Sequence, residues 1–330
     1  MTIKAYCMKW HLTKSDAFSD LLVDALKDRL EIILTDIEEW KPADSNQPAI
    51  FCQVKPPDEL LNNPKAKVAW LPMWDNVLAE YHDQTWWDKL PKHIKIVCFS
   101  QALYDIASRA GLPSIHLKFY KNPDDFEPAQ WEKRQIFYWN RTGLVGPQFL
   151  HKLCTALKAE EIIFRPDLDP GASKDLYYEL PSRLGNTSVK VIHEMDRGSH
   201  FKAVKDSNFL LAPRVAEGVG MTLIEAMSKG SAVLAYDAST MNEYIRHRQN
   251  GFLFNNLGSR RIDKRTIRVA KRLAGRQTGP RYALSLDQRW SDMAKIDWED
   301  LGATALQDSQ KGYTEWCESL DAYNNFLTSW

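Results

Sequence analysis

Short apolar runs rich in β-branched and aromatic residues alternate along this chain with longer stretches whose apolar positions recur every three to four residues. The short runs read as strands and the longer stretches as amphipathic helices. In the first part, strands are predicted at 3–8, 31–35, 49–53, 67–72, 94–99 and 115–119, with helices near 16–27, 75–81 and 101–110. Gly111-Leu112-Pro113 closes the last of these helices in the usual order, glycine first and proline after. A turn-rich stretch, Tyr120 to Pro128, interrupts the pattern and reads as a domain boundary. A second series follows, with strands at 135–139, 161–165, 189–193, 208–213, 231–236 and 252–254 and helices near 147–157, 201–205 and 221–229. Asp297-Trp298-Glu299 opens a long last helix that runs through Leu327. The class is α/β, with parallel sheets covered by helices on both faces. Two Rossmann-like lobes facing a cleft are the expected architecture, with ligands beyond the carboxyl ends of the strands. No fixed-period repeat or low-complexity tract is present, which argues against solenoids and disordered tails.

Composition narrows the classes. A chain of 330 residues exceeds the usual size of one core, so two domains are expected. No apolar run is long enough to cross a bilayer. The N-terminus lacks the apolar core and small-residue cleavage site of a secretory signal, so a cytoplasmic protein is expected, with peripheral contact at the inner face of the membrane as an extension. Five cysteines, odd in number and widely spread, support neither a disulfide framework nor a structural zinc. Basic and acidic groups balance at 43 each, so the chain as a whole is no polycation for nucleic acid. The charge is nonetheless uneven. Arg260, Arg261, Lys264, Arg265, Arg268, Lys271, Arg272, Arg276 and Arg281 face Asp263 alone within one segment. An anionic membrane surface is one partner for residues 260–281, and a solvated helix face is the other reading.

The segment richest in chemistry runs from Leu210 to Met227. A buried strand ends in a glycine-containing loop, Glu217-Gly218-Val219-Gly220, that feeds straight into a helix at Met221-Thr222. Backbone N–H groups and the positive end of the helix dipole therefore converge where an anion would sit. Glu217 precedes the loop and Glu225 lies one turn into the helix, so two carboxylates border that spot and can accept hydrogen bonds from sugar or ribose hydroxyls. An anion cradle flanked by two hydroxyl acceptors describes a nucleotide-sugar site.

The span Glu217 to Glu225 resembles the E-x7-E motif of retaining GT-B glycosyltransferases of the family-4 type. The residues that follow, Glu225-Ala226-Met227 with Gly230 and Val233, then Glu243 and Ile245, then Gly251 and Leu253, are similar to that family's conserved run in order and spacing. The linker 122–128 resembles its hinge, shortened and without the glycine. The resemblance implies an N-terminal acceptor lobe at 1–128, a C-terminal nucleotide-sugar lobe at 129–296, and a helical tail at 297–330 able to cross back to the first lobe. It implies that Glu225 holds the donor ribose, and that Glu217 meets the transferred sugar while the backbone at Gly218, Gly220, Met221 and Thr222 meets the diphosphate. Arg141 falls where the family places a diphosphate-binding arginine. The family's lysine a few residues later is absent, since Gly146 and Pro147 stand there. Asp75 occupies roughly the place of an N-lobe histidine. The activity implied is transfer of a sugar from a nucleoside-diphosphate sugar to a hydroxyl of a glycan or lipid-linked glycan, with retention and with no essential metal or other cofactor.

Other readings stand beside this one. Gly218-Val219-Gly220 with Asp237 after the next strand invites a nicotinamide dinucleotide site, but Leu223 stands at the third glycine position. Asp167-Leu168-Asp169 imitates a metal motif in a stretch of turn chemistry. Trp74 and Trp70 are candidates for stacking on an acceptor sugar, and His11 either lines the same cleft or is a solvated loop residue. A sugar-nucleotide epimerase or hydrolase, or a binding subunit without turnover, would use the same donor lobe.

Overall fold

The computed structural model describes residues 2–14, 16–141, 145–168, 177–193, 197–212, 214–254 and 286–330. The basic segment 260–281 lies outside these, as does Asp169. Packing divides the chain into two units. Unit 1 holds Met1–Phe119, Glu217–Val219 and Thr314–Trp330, and unit 2 holds Tyr120–Ala216 and Gly220–Tyr313.

Unit 1 is built on a six-stranded parallel sheet of β1 (Thr2–Cys7), β2 (Glu31–Asp36), β3 (Ala49–Cys52), β4 (Val68–Leu71), β5 (Lys95–Cys98) and β6 (Ser114–His116), in the order β2-β1-β3-β4-β5-β6. The central runs Ala49–Cys52 and Val68–Leu71 are buried at every position, as strands covered on both faces are. Helices occur as expected near 74–80 and 101–109. Short helices at Lys9–Lys14, Asp58–Leu61 and Gln84–Asp88 carry no strong periodicity and were not foreseen. The order in which successive strands are added reverses between β1 and β3, so the sheet has a topological switch point there.

Unit 2 has a seven-stranded sheet of β7 (Gln135–Trp139), β8 (Glu161–Arg165), β9 (Arg183–Leu184), β10 (Thr187–Val191), β11 (Phe209–Ala212), β12 (Ala232–Tyr236) and β13 (Phe252–Phe254). The order is β13-β12-β11-β7-β8-β10-β9, the doubly wound arrangement, and its switch point falls between β7 and β11. Among the described residues only β9, paired antiparallel with β10, departs from the expected parallel sheet. It is a two-residue strand, too short to leave an alternation pattern.

The last helix spans Trp298–Thr328, with Asp297 accepting a hydrogen bond from the Asp300 N–H at 3.1 Å at its start. Its residues up to Tyr313 pack in unit 2 and those from Thr314 in unit 1. In unit 2 the helix approaches the turn after the Met221–Ser228 helix so closely that a Cβ on Gly302 would clash with the Gly230 carbonyl oxygen. In unit 1 the buried Lys95 donates to the carbonyls of Phe326 at 2.5 Å and Ser329 at 2.6 Å, which caps the helix's C-terminal end with a cation.

A second buried lysine serves unit 2. Lys229 is 2 % exposed, and its ammonium donates to the carbonyls of Val204 (2.6 Å) and Lys205 at the end of the Arg197–Asp206 helix. Burial lowers its pKa from the ordinary 10.5 to about 8, with Lys205 lowering it further and Asp206 opposing. Above about pH 8 the folded chain releases this proton while the unfolded chain keeps it until near 10.5, so the Lys229 contribution to stability rises with pH across that window. Below pH 8 both states hold the proton and the contribution is level. The melting-temperature difference between the native protein and Lys229→Met is therefore expected to rise in favour of the native protein from pH 8 to 10 and to be flat below 7. A difference that falls over the upper range contradicts this account.

Candidate functional site

In unit 2 the carboxyl ends of β7 and β11 lie side by side, with Tyr138 opposite Leu211. The chain leaves them in opposite senses, into the Pro147–Leu157 helix and the Met221–Ser228 helix. The latter opens at Gly220, whose φ of 82° and ψ of 49° are left-handed, a conformation that costs any residue with a Cβ. The cap residue, a glycine, has no side chain to accept from the first turn, and the Ile224 N–H donates to the Gly220 carbonyl at 3.0 Å. The Met221, Thr222 and Leu223 N–H groups precede that donor and form the positive end of the helix at the switch point. Met221, Thr222 and Glu225 are half-buried, while Leu223 and Ile224 face the core, the split expected of a helix with one face toward a ligand.

Two arginines stand at the same sheet edge. Arg141 follows β7 and lies with its guanidinium 4.7 Å from the centre of the Trp139 ring. Arg165, at the end of β8 and opposite Trp139 in register, lies 4.0 Å from that ring. The Arg165 Nε also donates to Asp167 Oδ2 at 2.8 Å, and the Trp139 Nε1 donates to the Asp167 carbonyl at 2.6 Å. Asp167 is thereby committed to an arginine, and Asp169, its partner in the metal-like motif, lies outside the described residues. Asn140 and Val145, after β7, are held by buried phenols. Tyr138 Oη donates to Asn140 Oδ1 at 2.9 Å, and Tyr178 Oη donates to the Val145 carbonyl at 2.6 Å. Burial pushes both phenols up, Tyr178 to beyond the usual range and Tyr138 well above its ordinary value.

Glu225 carries an ion pair with Lys121, Nζ to Oε1 at 2.8 Å, the side chains being 20 % and 13 % exposed for Lys121 and Glu225. Asp237, the acid of the dinucleotide reading, accepts from Asn242 Nδ2 at 3.0 Å, and Leu223 at the third glycine position is buried in the helix.

Glu217–Val219 pack with unit 1, where a Cβ on Gly218 would meet Met73 at 3.0 Å. Met73 precedes the helix that carries Trp74 and Asp75. The switch point of the unit 1 sheet holds a polar cluster of its own. His11 Nε2 and Gln53 Oε1, after β1 and β3, are 2.6 Å apart, and the Asp75 carboxylate acts on the same imidazole. His11 is only 6 % exposed and sits on the Lys9–Lys14 helix, which corrects the expectation of a solvated loop histidine. Burial lowers its pKa, with Gln53 and Asp75 opposing, so it is neutral at pH 7.

The two tryptophans named as sugar-stacking candidates are in the core, the other role open to large aromatics. Trp74 is 3 % exposed and Trp70 1 %, the latter stacked on Trp87 at 5.5 Å. A ring enclosed on both faces cannot receive a sugar. The exposed aromatic at this sheet edge is Trp10, 47 % exposed and stacked on His11 at 3.6 Å. Sequence reasoning passed over Gln53, Lys121 and Arg165. Arg165 alone had a signal, as a cation at the end of a strand beside the switch point.

Residues 170–271 match the family model described as Glycosyl transferases group 1. No curated protein sequence matches the chain. Among solved structures, sucrose-phosphate synthase from Thermosynechococcus elongatus superposes with a TM-score of 0.65 at 11 % identity, covering 100 % of this chain and 99 % of that one. Anabaena HepE, in complex with UDP and glucose, gives 0.57 at 15 % identity over 98 % of this chain and all of its own. A glycosyltransferase from Rickettsia africae gives 0.52 at 13 % identity over 100 % of this chain and 99 % of that one. The fold is GT-B. Within the GT-B frame, the segment around the Met221 helix falls inside the matched domain, whereas Arg141 and the unit 1 cluster lie before it.

The left-handed Gly220 gives a direct test of this loop. Gly220→Ala is expected to lower unfolding free energy by about 1–2 kcal/mol in urea titrations, because a Cβ is forced into the left-handed region. An unchanged midpoint would show that the turn does not need glycine.

Proposed function

We propose that the protein is a retaining glycosyltransferase that moves a sugar from a nucleoside-diphosphate sugar to a hydroxyl of a glycan or lipid-linked glycan. The observation that carries this reading is the helix start at Gly220-Met221, opened by a left-handed glycine at the switch point of a doubly wound sheet and inside the group 1 match. A diphosphate fits such a start, because converging N–H groups and the helix dipole stabilise negative charge without a counter-ion. Glu225, one turn on, is the acceptor for ribose hydroxyls. Glu217 is assigned to the transferred sugar, and Arg141 to the charge that grows on the leaving diphosphate. His11, Trp74 and Asp75 are assigned to the acceptor side, Trp74 now as support beneath Asp75 and not as a stacking platform. Complexes with UDP and glucose for Anabaena HepE, and with UDP and GlcNAc for the pneumococcal transferase GtfA, support a nucleotide-sugar donor.

The family pattern supports retention and a reaction without an essential metal, in which an acceptor hydroxyl attacks on the face the diphosphate leaves. Arg165, which shares the Trp139 ring with Arg141, is assigned to stand in for the missing second cation, though Asp167 offsets its charge. The rival reading of a binding subunit without turnover follows from that same deficit.

Donor turnover measured with and without acceptor extract, with the product anomer read by NMR, separates these readings. Transfer that requires acceptor and keeps the anomeric configuration supports the proposal. Donor consumed equally without acceptor indicates a hydrolase or epimerase, and a nucleotide-stabilised protein that consumes no donor indicates the binding subunit. Glu225→Ala is expected to raise the donor KM by roughly ten- to a hundred-fold, the worth of hydrogen bonds to a charged group. Glu217→Gln is expected chiefly to lower kcat. Native rates in both variants contradict the site assignment.

A further inference from the structure

Glu225 is reached from far away in the sequence by a side chain that no motif contains. Lys121 lies 104 residues earlier, yet its Nζ stands 2.8 Å from Glu225 Oε1. Both side chains are mostly withdrawn from water, at 20 % and 13 % exposure, unlike an ordinary surface pair such as Lys55–Asp58 at 34 % and 74 %. A pair so shielded is held more strongly than an exposed one, since water and salt screen it less.

The backbone around Lys121 is fixed on both sides. Tyr120 packs edge-on against Tyr244 at 5.2 Å, and its ring lies so near the long helix that a Cβ on Gly312 would overlap it. On the other side Asn122 accepts a hydrogen bond from the Asp124 N–H at 3.2 Å and caps the turn Pro123–Asp125, with Pro123 itself buried. The ammonium is thus delivered to Glu225 from an anchored segment, not from a mobile surface.

We propose that Lys121 is a donor-positioning residue, whose ammonium holds the Glu225 carboxylate in the orientation in which the ribose hydroxyls of the donor meet it. The inference rests on the reading of Glu225 given above. A carboxylate offers about four acceptor positions, so an ammonium on Oε1 leaves it the capacity to accept from hydroxyl groups. The pair is a charge-assisted one, and hydrogen bonds to a charged acceptor are about twice as strong as those between neutral groups. Lys121 therefore acts on the sugar of the nucleotide, and a donor lacking the ribose hydroxyls gains nothing from it.

Calorimetric titration of UDP, GDP and ADP, each beside its 2′,3′-dideoxy counterpart, tests this in the native protein and in Lys121→Met, Lys121→Gln and Lys121→Arg. The native protein is expected to prefer the ribonucleotide it binds best. In Lys121→Met that ribonucleotide is expected to weaken on the order of ten-fold while its dideoxy counterpart changes little, so the preference shrinks. Lys121→Arg is expected to restore most of it. Lys121→Gln makes the same comparison should the methionine variant fail to fold. A preference that survives in both neutral variants overturns the role of Lys121 and leaves the functional reading intact. A native protein that binds without preference overturns both this role and that of Glu225. A native protein that binds none of the nucleotides overturns the functional reading itself.

Discussion

The orientation of one helix start governs how unit 2 can meet a ligand. Entered through the left-handed Gly220, the Met221–Ser228 helix starts beyond the end of β11, beside the point where the order of strand connections reverses. A serine or aspartate at the cap would spend one of the first N–H groups within the chain. The cap residue here is glycine, which has no side chain to take it. The neighbouring features lie close by: Arg141 and Arg165 gather at Trp139 because β7, which borders β11, pairs on its other side with β8, and Glu225 is set one turn along with its carboxylate half-buried.

Both sheets gather polar side chains at their switch points. In unit 1 the reversal between β1 and β3 brings His11 against Gln53, with Asp75 acting from the helix after β4. Packing there is tight enough to keep the imidazole neutral, which suits a group that positions an uncharged hydroxyl by hydrogen bonding. The lysines buried elsewhere do structural work. Lys95 and Lys229 each take up backbone carbonyls at a helix end, at the cost of holding a cation away from water.

Much of the architecture was legible in the sequence because parallel strands covered on both faces leave unbroken apolar runs, as in Ala49–Cys52 and Ala232–Tyr236. The donor loop was legible for a different reason, since a strand, a glycine turn and a helix start are contiguous in the chain. Contacts made across long separations were not. Lys121 to Glu225 and His11 to Gln53 leave no local pattern, because neither partner changes the periodicity around it. Burial of large aromatics misled in the same way. Trp70 and Trp74 flank the end of a strand, as a sugar platform would, yet a core able to enclose an indole takes it first, and the ring left exposed was Trp10.

The central claim is that the Gly220 helix start receives the diphosphate of a nucleotide, and hydrogen exchange reads those amides directly. With a saturating nucleoside diphosphate, exchange in a peptide covering Val219 to Glu225 is expected to slow, with the change concentrated at the Met221 and Thr222 amides. Nucleotide binding that raises the melting temperature while leaving exchange in this peptide unchanged would contradict the account.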